Sequence, residues 1–208
     1  MYAAGNDNYG RVVLWKNGAA QYLTNGTSNA WVRSVFASGN DVYVAGVDND
    51  VATLWKNGVK QNLTFKAGST SSRATSVFVS DGDVYVLGDE YTNDGRQVGV
   101  LWKNGKVEQY IGDNYVFTSS LFVSGNDVYI AYALIDDASH VLLKNGVVQY
   151  VVGYSSSIFV SGNDVYVAGA TDVGNDMSPN AVLWKNGVIQ NLTVGSYAQV
   201  RSVFVVER

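Results

Sequence analysis

One histidine, His140, and no cysteine leave few ways to build a nucleophilic or metal-binding centre in this 208-residue chain. A Ser-His-acid set needs a base beside its nucleophile, and His140 stands next to Val141 with no acidic pattern around it. Four aspartates recur at one place in the sequence, Asp41, Asp83, Asp127 and Asp164. Each follows a turn, where a carboxylate accepts bonds from nearby N–H groups, so turn chemistry is expected and no metal site. Other loops hold Asn and Asp: NDNYG (6–10), DND (48–50), DEYTNDG (89–95), DD (136–137) and DVGND (172–176). None has the full alternating oxygen set with a terminal Glu that a calcium loop uses. The remaining chemistry lies in aromatic and guanidinium groups: Trp31, Arg33, Arg73, Tyr115, Tyr154, Tyr197 and Arg201. Aromatic faces stack on sugar rings, and Arg, Asn and Asp bond hydroxyls. These seven residues are the candidate ligand-binding set, with a carbohydrate or a protein as the expected ligand.

The elements that must carry these residues come from a repeat. LWKNG occurs at 14–18, 54–58, 101–105 and 183–187, with LLKNG at 142–146. Ser-apolar-Phe recurs at 34–36, 76–78, 120–122, 157–159 and 202–204, and a Tyr-apolar-Ala-Gly-like block begins at Tyr2, Tyr43, Tyr85, Tyr129 and Tyr166. Each repeat predicts four short strands: A (SVFVS), B (DVYVAG), C (AVLWK) and D (VIQNLT), rich in β-branched and aromatic residues. Asn-Gly between C and D is a strong hairpin signal, since both turn residues take positive φ. Gly-Asn joins A to B in three copies, and Asp81-Gly82 is expected to serve the same need in another.

Four antiparallel strands per repeat, taken five times, predict an all-β five-bladed propeller that fills residues 1–208 as a single domain. The chain ends look like one repeat cut open at its A–B turn. Ser202–Val206 is therefore expected to pair with Met1–Gly5 inside one blade and close the ring. The recurring Trp, Phe and Tyr residues are expected to pack between neighbouring blades. The B–C loops and D–A connections would share one end of the blades, where the candidate residues are placed. Strand A middles carry no Asp or Glu, so a glycosidase pair of carboxylates is not expected.

The phrases SIFVSGNDVYVAG (157–169) and AVLWKNGVIQNLT (181–193) resemble the tandem repeats of bacterial propeller proteins, often exported. The resemblance covers all five repeats and is carried by repeat type. It implies a propeller with no catalytic motif and no cofactor. The fivefold cut also resembles a trimmed, permuted or engineered form, and lectins of the tachylectin kind share the five-bladed architecture. A net charge of −4 without a Lys/Arg cluster argues against nucleic acid. No stretch reaches the length of a membrane helix, and no signal peptide is visible at Met1. A non-catalytic binding or scaffold protein, monomeric, is the expected class. A multivalent lectin and a scaffold with no selected ligand are the alternatives.

Overall fold

The computed structural model describes residues 1–112, 115–134, 140–171, 179–193 and 197–206. The loop clusters at 136–137 and 172–176, and Glu207 and Arg208, lie outside the described residues. Strands build every sheet, and all pairings are antiparallel between sequence neighbours. The first sheet holds β1 (Tyr2–Asn6), β2 (Val12–Lys16) and β3 (Ala19–Tyr22). The second holds β4 (Ala30–Ser38), β5 (Asp41–Asp48), β6 (Val51–Lys56) and β7 (Val59–Asn62). The third holds β8 (Ser69–Ser80), β9 (Asp83–Thr92), β10 (Gln97–Lys103) and β11 (Lys106–Ile111). The fourth holds β12 (Val116–Ser124), β13 (Asp127–Leu134), β14 (His140–Lys144) and β15 (Val147–Val152). The fifth holds β16 (Tyr154–Ser161), β17 (Asp164–Ala170), β18 (Ala181–Lys185) and β19 (Val188–Asn191). Five meander sheets of this kind match a five-bladed β-propeller.

The chain forms two compact units, Met1–Tyr115 with the first three sheets and Val116–Arg208 with the other two. In the first unit, Val12 and Leu14 pack with Val44 and Trp55 between the first and second sheets. Tyr43, Leu54 and Leu63 pack with Val77, Val86 and Trp102 between the second and third. In the second unit, Tyr129 and Leu142 pack with Val167, Val182 and Trp184. Trp55 and Trp102 are fully buried, so these indoles are core, as expected. The strand A phenylalanines stack in sequence, with ring centroids 4.6 Å apart for Phe36–Phe78 and 5.1 Å for Phe122–Phe159.

Within each unit a serine hydroxyl bonds one strand A to the next. Ser34 Oγ accepts from Val77 N–H at 3.2 Å, and Ser120 Oγ from Ile158 N–H at 3.0 Å. One residue before that serine, a β-bulge interrupts each strand A ladder, at Arg33, Thr75, Ser119 and Ser156. The bulge brings a strand A carbonyl onto a strand B glycine. A Cβ on Gly46 would lie 2.1 Å from Trp31 O, and one on Gly169 would lie 1.7 Å from Tyr154 O.

The C–D turns are as expected, with φ of 52° at Asn57 and 85° at Gly58. The A–B turns divide into two kinds. Gly39 has φ of 58° and Asn40 is not in the positive region, whereas Asp81 and Gly82 are both positive. Gly-Asn therefore follows the pattern that needs glycine first, and Asp-Gly follows the C–D pattern. The expectation that both serve one backbone need is corrected.

The first sheet has three strands, with β1 paired to β2 alone. Residues 202–206 carry no assigned strand. They continue the strand A series along β16. Ser157 Oγ accepts from Val203 N–H at 3.3 Å, and the Phe159 and Phe204 rings are 4.9 Å apart. Phe204 is still 76% exposed. The ladder expected between this segment and Met1–Gly5 is not among the pairings of the described residues.

Candidate functional site

Each complete sheet ends in the same cluster at its turn side. In the second sheet Asn57 Nδ2 donates to Asp41 Oδ1 at 2.7 Å, and Asn57 Oδ1 accepts from Val42 N–H at 2.9 Å. Lys56 Nζ reaches Asp41 Oδ2 at 2.9 Å and lies 5.3 Å from the Tyr43 ring centre. Asp83, Lys103 and Asn104 repeat the arrangement, as do Asp127, Lys144 and Asn145, and Asp164, Lys185 and Asn186. The hydrogen bond from lysine, then that from asparagine, holds Asp83, Asp127 and Asp164 below the usual carboxylate range, and Asp41 likewise. The expected turn role of these aspartates is refined: the asparagine amide takes the backbone N–H, and the aspartate holds the asparagine and lysine. The first sheet supplies Asn17 and Lys16 and has no aspartate there, and the Met1 ammonium donates to Asn17 Oδ1 at 2.7 Å.

The seven candidate residues fare differently. Trp31 and Arg33 lie within β4, and the Arg33 guanidinium sits 4.9 Å from the Trp31 ring centre. Trp31 is half-buried and Arg33 exposed. Arg73 lies within β8 and pairs through Nε with Asp89 at 2.9 Å, while its guanidinium covers the Tyr91 ring. Asp89 is 1% exposed, so Arg73 neutralises a buried charge. Tyr115 precedes β12 with φ of 49°. Tyr154 opens β16 and sets its ring edge-on to His140, with centroids 4.9 Å apart. Tyr197 and Arg201 are exposed outside any strand. Trp31, Arg33, Arg73 and Tyr154 are thus strand residues, not residues of the D–A connections.

Two further expectations change. His140 is not incidental: it is buried at the start of β14, and its Nδ1 accepts from Ser155 N–H at 3.1 Å. That bond places the proton of the neutral ring on Nε2, and burial lowers the pKa. Asp89 and Glu90 belong to β9, not to a loop. Glu90 is fully buried; its Oε2 accepts from Ser69 Oγ at 2.8 Å and from Lys66 N–H at 3.2 Å. Ser69 and Lys66 both come from the connection into β8.

At the loop end of the first two sheets lies a polar cleft of about 540 Å³. Tyr22 at the end of β3 and, after it, Leu23, Thr24, Asn25, Thr27 and Ser28 line one side. Asp48 and Asn49, at the turn between β5 and β6, line the other. Asp48 Oδ2 pairs with Lys60 Nζ at 2.7 Å, and Oδ1 is buried with no hydrogen-bond partner. Burial raises the Asp48 pKa, but Lys60 and the Ser28 hydroxyl outweigh it and leave the carboxyl ionised below the usual range. Asn25 Oδ1 accepts from Thr27 N–H and Oγ1 at 3.1 and 2.7 Å, which fixes the loop as an Asx turn. Arg11 closes the edge, paired with Asp7 and lying 4.0 Å from the Tyr22 ring centre. Sequence reading sees only a solvated DND loop here. The signal that would have marked it is the pairing of that loop with the connection of the preceding repeat.

No protein-family model and no curated protein matches the sequence. Among solved structures, the chain is similar to the computationally designed Ika8 protein, at 16% identity and TM-score 0.54, over 99% of this chain and 75% of that one. It is also similar to an exo-β-1,3-galactanase from Phanerochaete chrysosporium solved with β-1,3-galactotriose, at 11% identity and TM-score 0.49, over 80% and 48% of the two chains. Drosophila Semaphorin 1a, extracellular domains 1–2, follows at 10% identity and TM-score 0.48, over 74% and 37%. The likeness to Ika8 agrees with the propeller fold, and at 16% identity it shows the fold alone.

Proposed function

We propose that the chain is a non-catalytic binding module, a repeat scaffold that presents variable side chains at the loop end of its blades. One observation carries this reading. The recurring polar residues are spent within each four-stranded sheet on tying its two turns together, while non-recurring ones gather at the opposite end. Function sits on variable loops held by a rigid frame. Among the described residues, the non-catalytic reading draws support from the engagement of His140 Nδ1 by Ser155, of Asp89 by Arg73, and from the burial of Glu90. The near-identity of the four turn clusters also favours a second reading, a repeat chain shaped for folding alone. The likeness to a designed protein is consistent with it.

Amide-resolved NMR titration with saccharide and peptide libraries tests the proposal. Perturbations are expected at residues 6–11, 22–33 and 48–50, with the Asp41–Asn57 and Asp83–Asn104 clusters unmoved. Turnover of any added compound, or shifts confined to the turn end, would overturn it. A protein that binds nothing would leave the folding-only reading in its place.

A further inference from the structure

The first sheet lacks the strand A that the other four sheets have, and its surroundings specify what that strand must be. β1 pairs with β2 along one edge and leaves its other edge open. Gly5 stands where Gly46, Gly88 and Gly169 each receive a strand A carbonyl, yet a Cβ on Gly5 would touch only the Trp15 ring, at 3.4 Å. The residue after the strand A serine is buried in the later sheets, as Val77, Leu121 and Ile158. In β4, the strand A beside the first sheet, Val35 is only half-buried and Ala37 is exposed. Val77 N–H and Ile158 N–H each donate to the serine of the preceding strand A, and among the described residues no serine reaches Val35 N–H. An open edge, a vacant carbonyl position and an uncovered valine thus ask for one extended segment with the order serine, apolar residue, phenylalanine.

We infer that the open edge of β1 is a docking site for the Ser202–Val206 strand of a second copy of this chain, taken up by strand exchange. That segment carries the required order, and Phe204 is 76% exposed although its ring already meets Phe159 on one side. Docked in the register of β4 on β5, its serine would accept from Val35 N–H, as Ser34 does from Val77 N–H. Its phenylalanine would lie against Phe36, as Phe36 lies against Phe78. The carbonyl of Gln199, three residues before the serine, would fill the space over Gly5, as that of Trp31 does over Gly46. Ladder bonds along β1 supply the affinity, and the serine and phenylalanine positions supply the selectivity. The chain's own segment competes for the same edge at an effective concentration on the order of millimolar, so a second copy enters where that segment is displaced. The site is separate from the loop end and goes beyond the binding-module reading.

Sedimentation of full-length variants tests this. Gly5→Ala blocks the edge and keeps the donor strand: its methyl meets the Trp15 ring at an ordinary contact distance but would collide with an incoming carbonyl. Phe204→Pro keeps the edge and spoils the donor, by removing the ring and a main-chain N–H. Phe204→Asp, at the same exposed position, is a second donor-dead chain. Each variant alone is expected to sediment as a monomer, and an equimolar mixture of Gly5→Ala with a donor-dead chain to shift toward twice that mass. An excess of free peptide spanning residues 197–206 should return the mixture to monomer, and the same peptide with Phe204→Ala should not. A mixture that stays monomeric with both donor-dead chains would overturn the proposal. So would a dimer that persists when the Gly5→Ala chain also carries Phe204→Pro, since its contact then lies elsewhere. Neither result bears on the loop-end titration, so the binding-module reading stands or fails separately.

Discussion

At the scale of the residue, most of what repeats in this sequence serves the sheet it belongs to. The Asp-Asn-Lys-Tyr cluster gives one reason for SGNDVY and LWKNG together: the aspartate of the first phrase meets the asparagine and lysine of the second, with the tyrosine ring beneath the lysine. Because the folded aspartates titrate below their ordinary value near 3.9, the stability they contribute is present above that pH. It is lost as pH falls through the depressed folded values. The lysines are raised, so their share is present below their ordinary value and lost only at strongly alkaline pH. A variant with Asp41, Asp83, Asp127 and Asp164 all changed to Asn is expected to melt below the wild type at pH 7. The gap should close as pH drops below about 4, where the unfolded carboxylates also protonate. Melting curves from pH 2 to pH 8 check this, and a gap independent of pH would refute it. The aspartates were visible in the sequence, but their partners were not. Asp164 and Asn186 are 22 positions apart, and only the register of β17 on β18 brings them together.

At the scale of the element, hairpins were legible and irregularities were not. Asn-Gly announces its turn because few other pairs hold two positive φ values. The bulge at Arg33, Thr75, Ser119 and Ser156 has no common residue type, and the strand B residue beside it is glycine in three sheets and Tyr132 in the fourth, so no single residue announces it. Reading Trp31 and Arg73 as loop residues follows from the same blindness: β4 and β8 run past the bulge toward the loop end. The fourth sheet carries Tyr132 where the others have Gly46, Gly88 and Gly169, so its strands leave room for a side chain. Gly46→Ala is expected to cost about 1–3 kcal/mol in urea unfolding, the usual cost of an overpacked site. The added methyl would meet the Trp31 carbonyl. An unchanged midpoint would show that the ladder yields freely there. The cleft at Asp48 was hidden for a related reason: its two walls come from different repeats, and each wall alone reads as polar loop.

At the scale of the whole molecule, the period of the repeat made the number of sheets legible before any strand was drawn. The closing pair remains an expectation. Gly5 has the strand B position of Gly46 and Gly88, yet a Cβ there would meet only the Trp15 ring and no strand A carbonyl. The glycine is suited to a partner strand that the first sheet lacks. By the register of Val35 on Val44, Val203 would face Ala3. The chain has no cysteine, so Ala3→Cys with Val203→Cys gives a clean reporter. A monomer that loses both thiols on mild oxidation is expected. Persistent thiols, or covalent dimers in their place, would rule out closure within one chain.

The turn clusters have a consequence for how such a chain can change its length. Each one closes between residues of a single repeat. A recombination event that gains or drops one full period is therefore expected to sever no turn cluster.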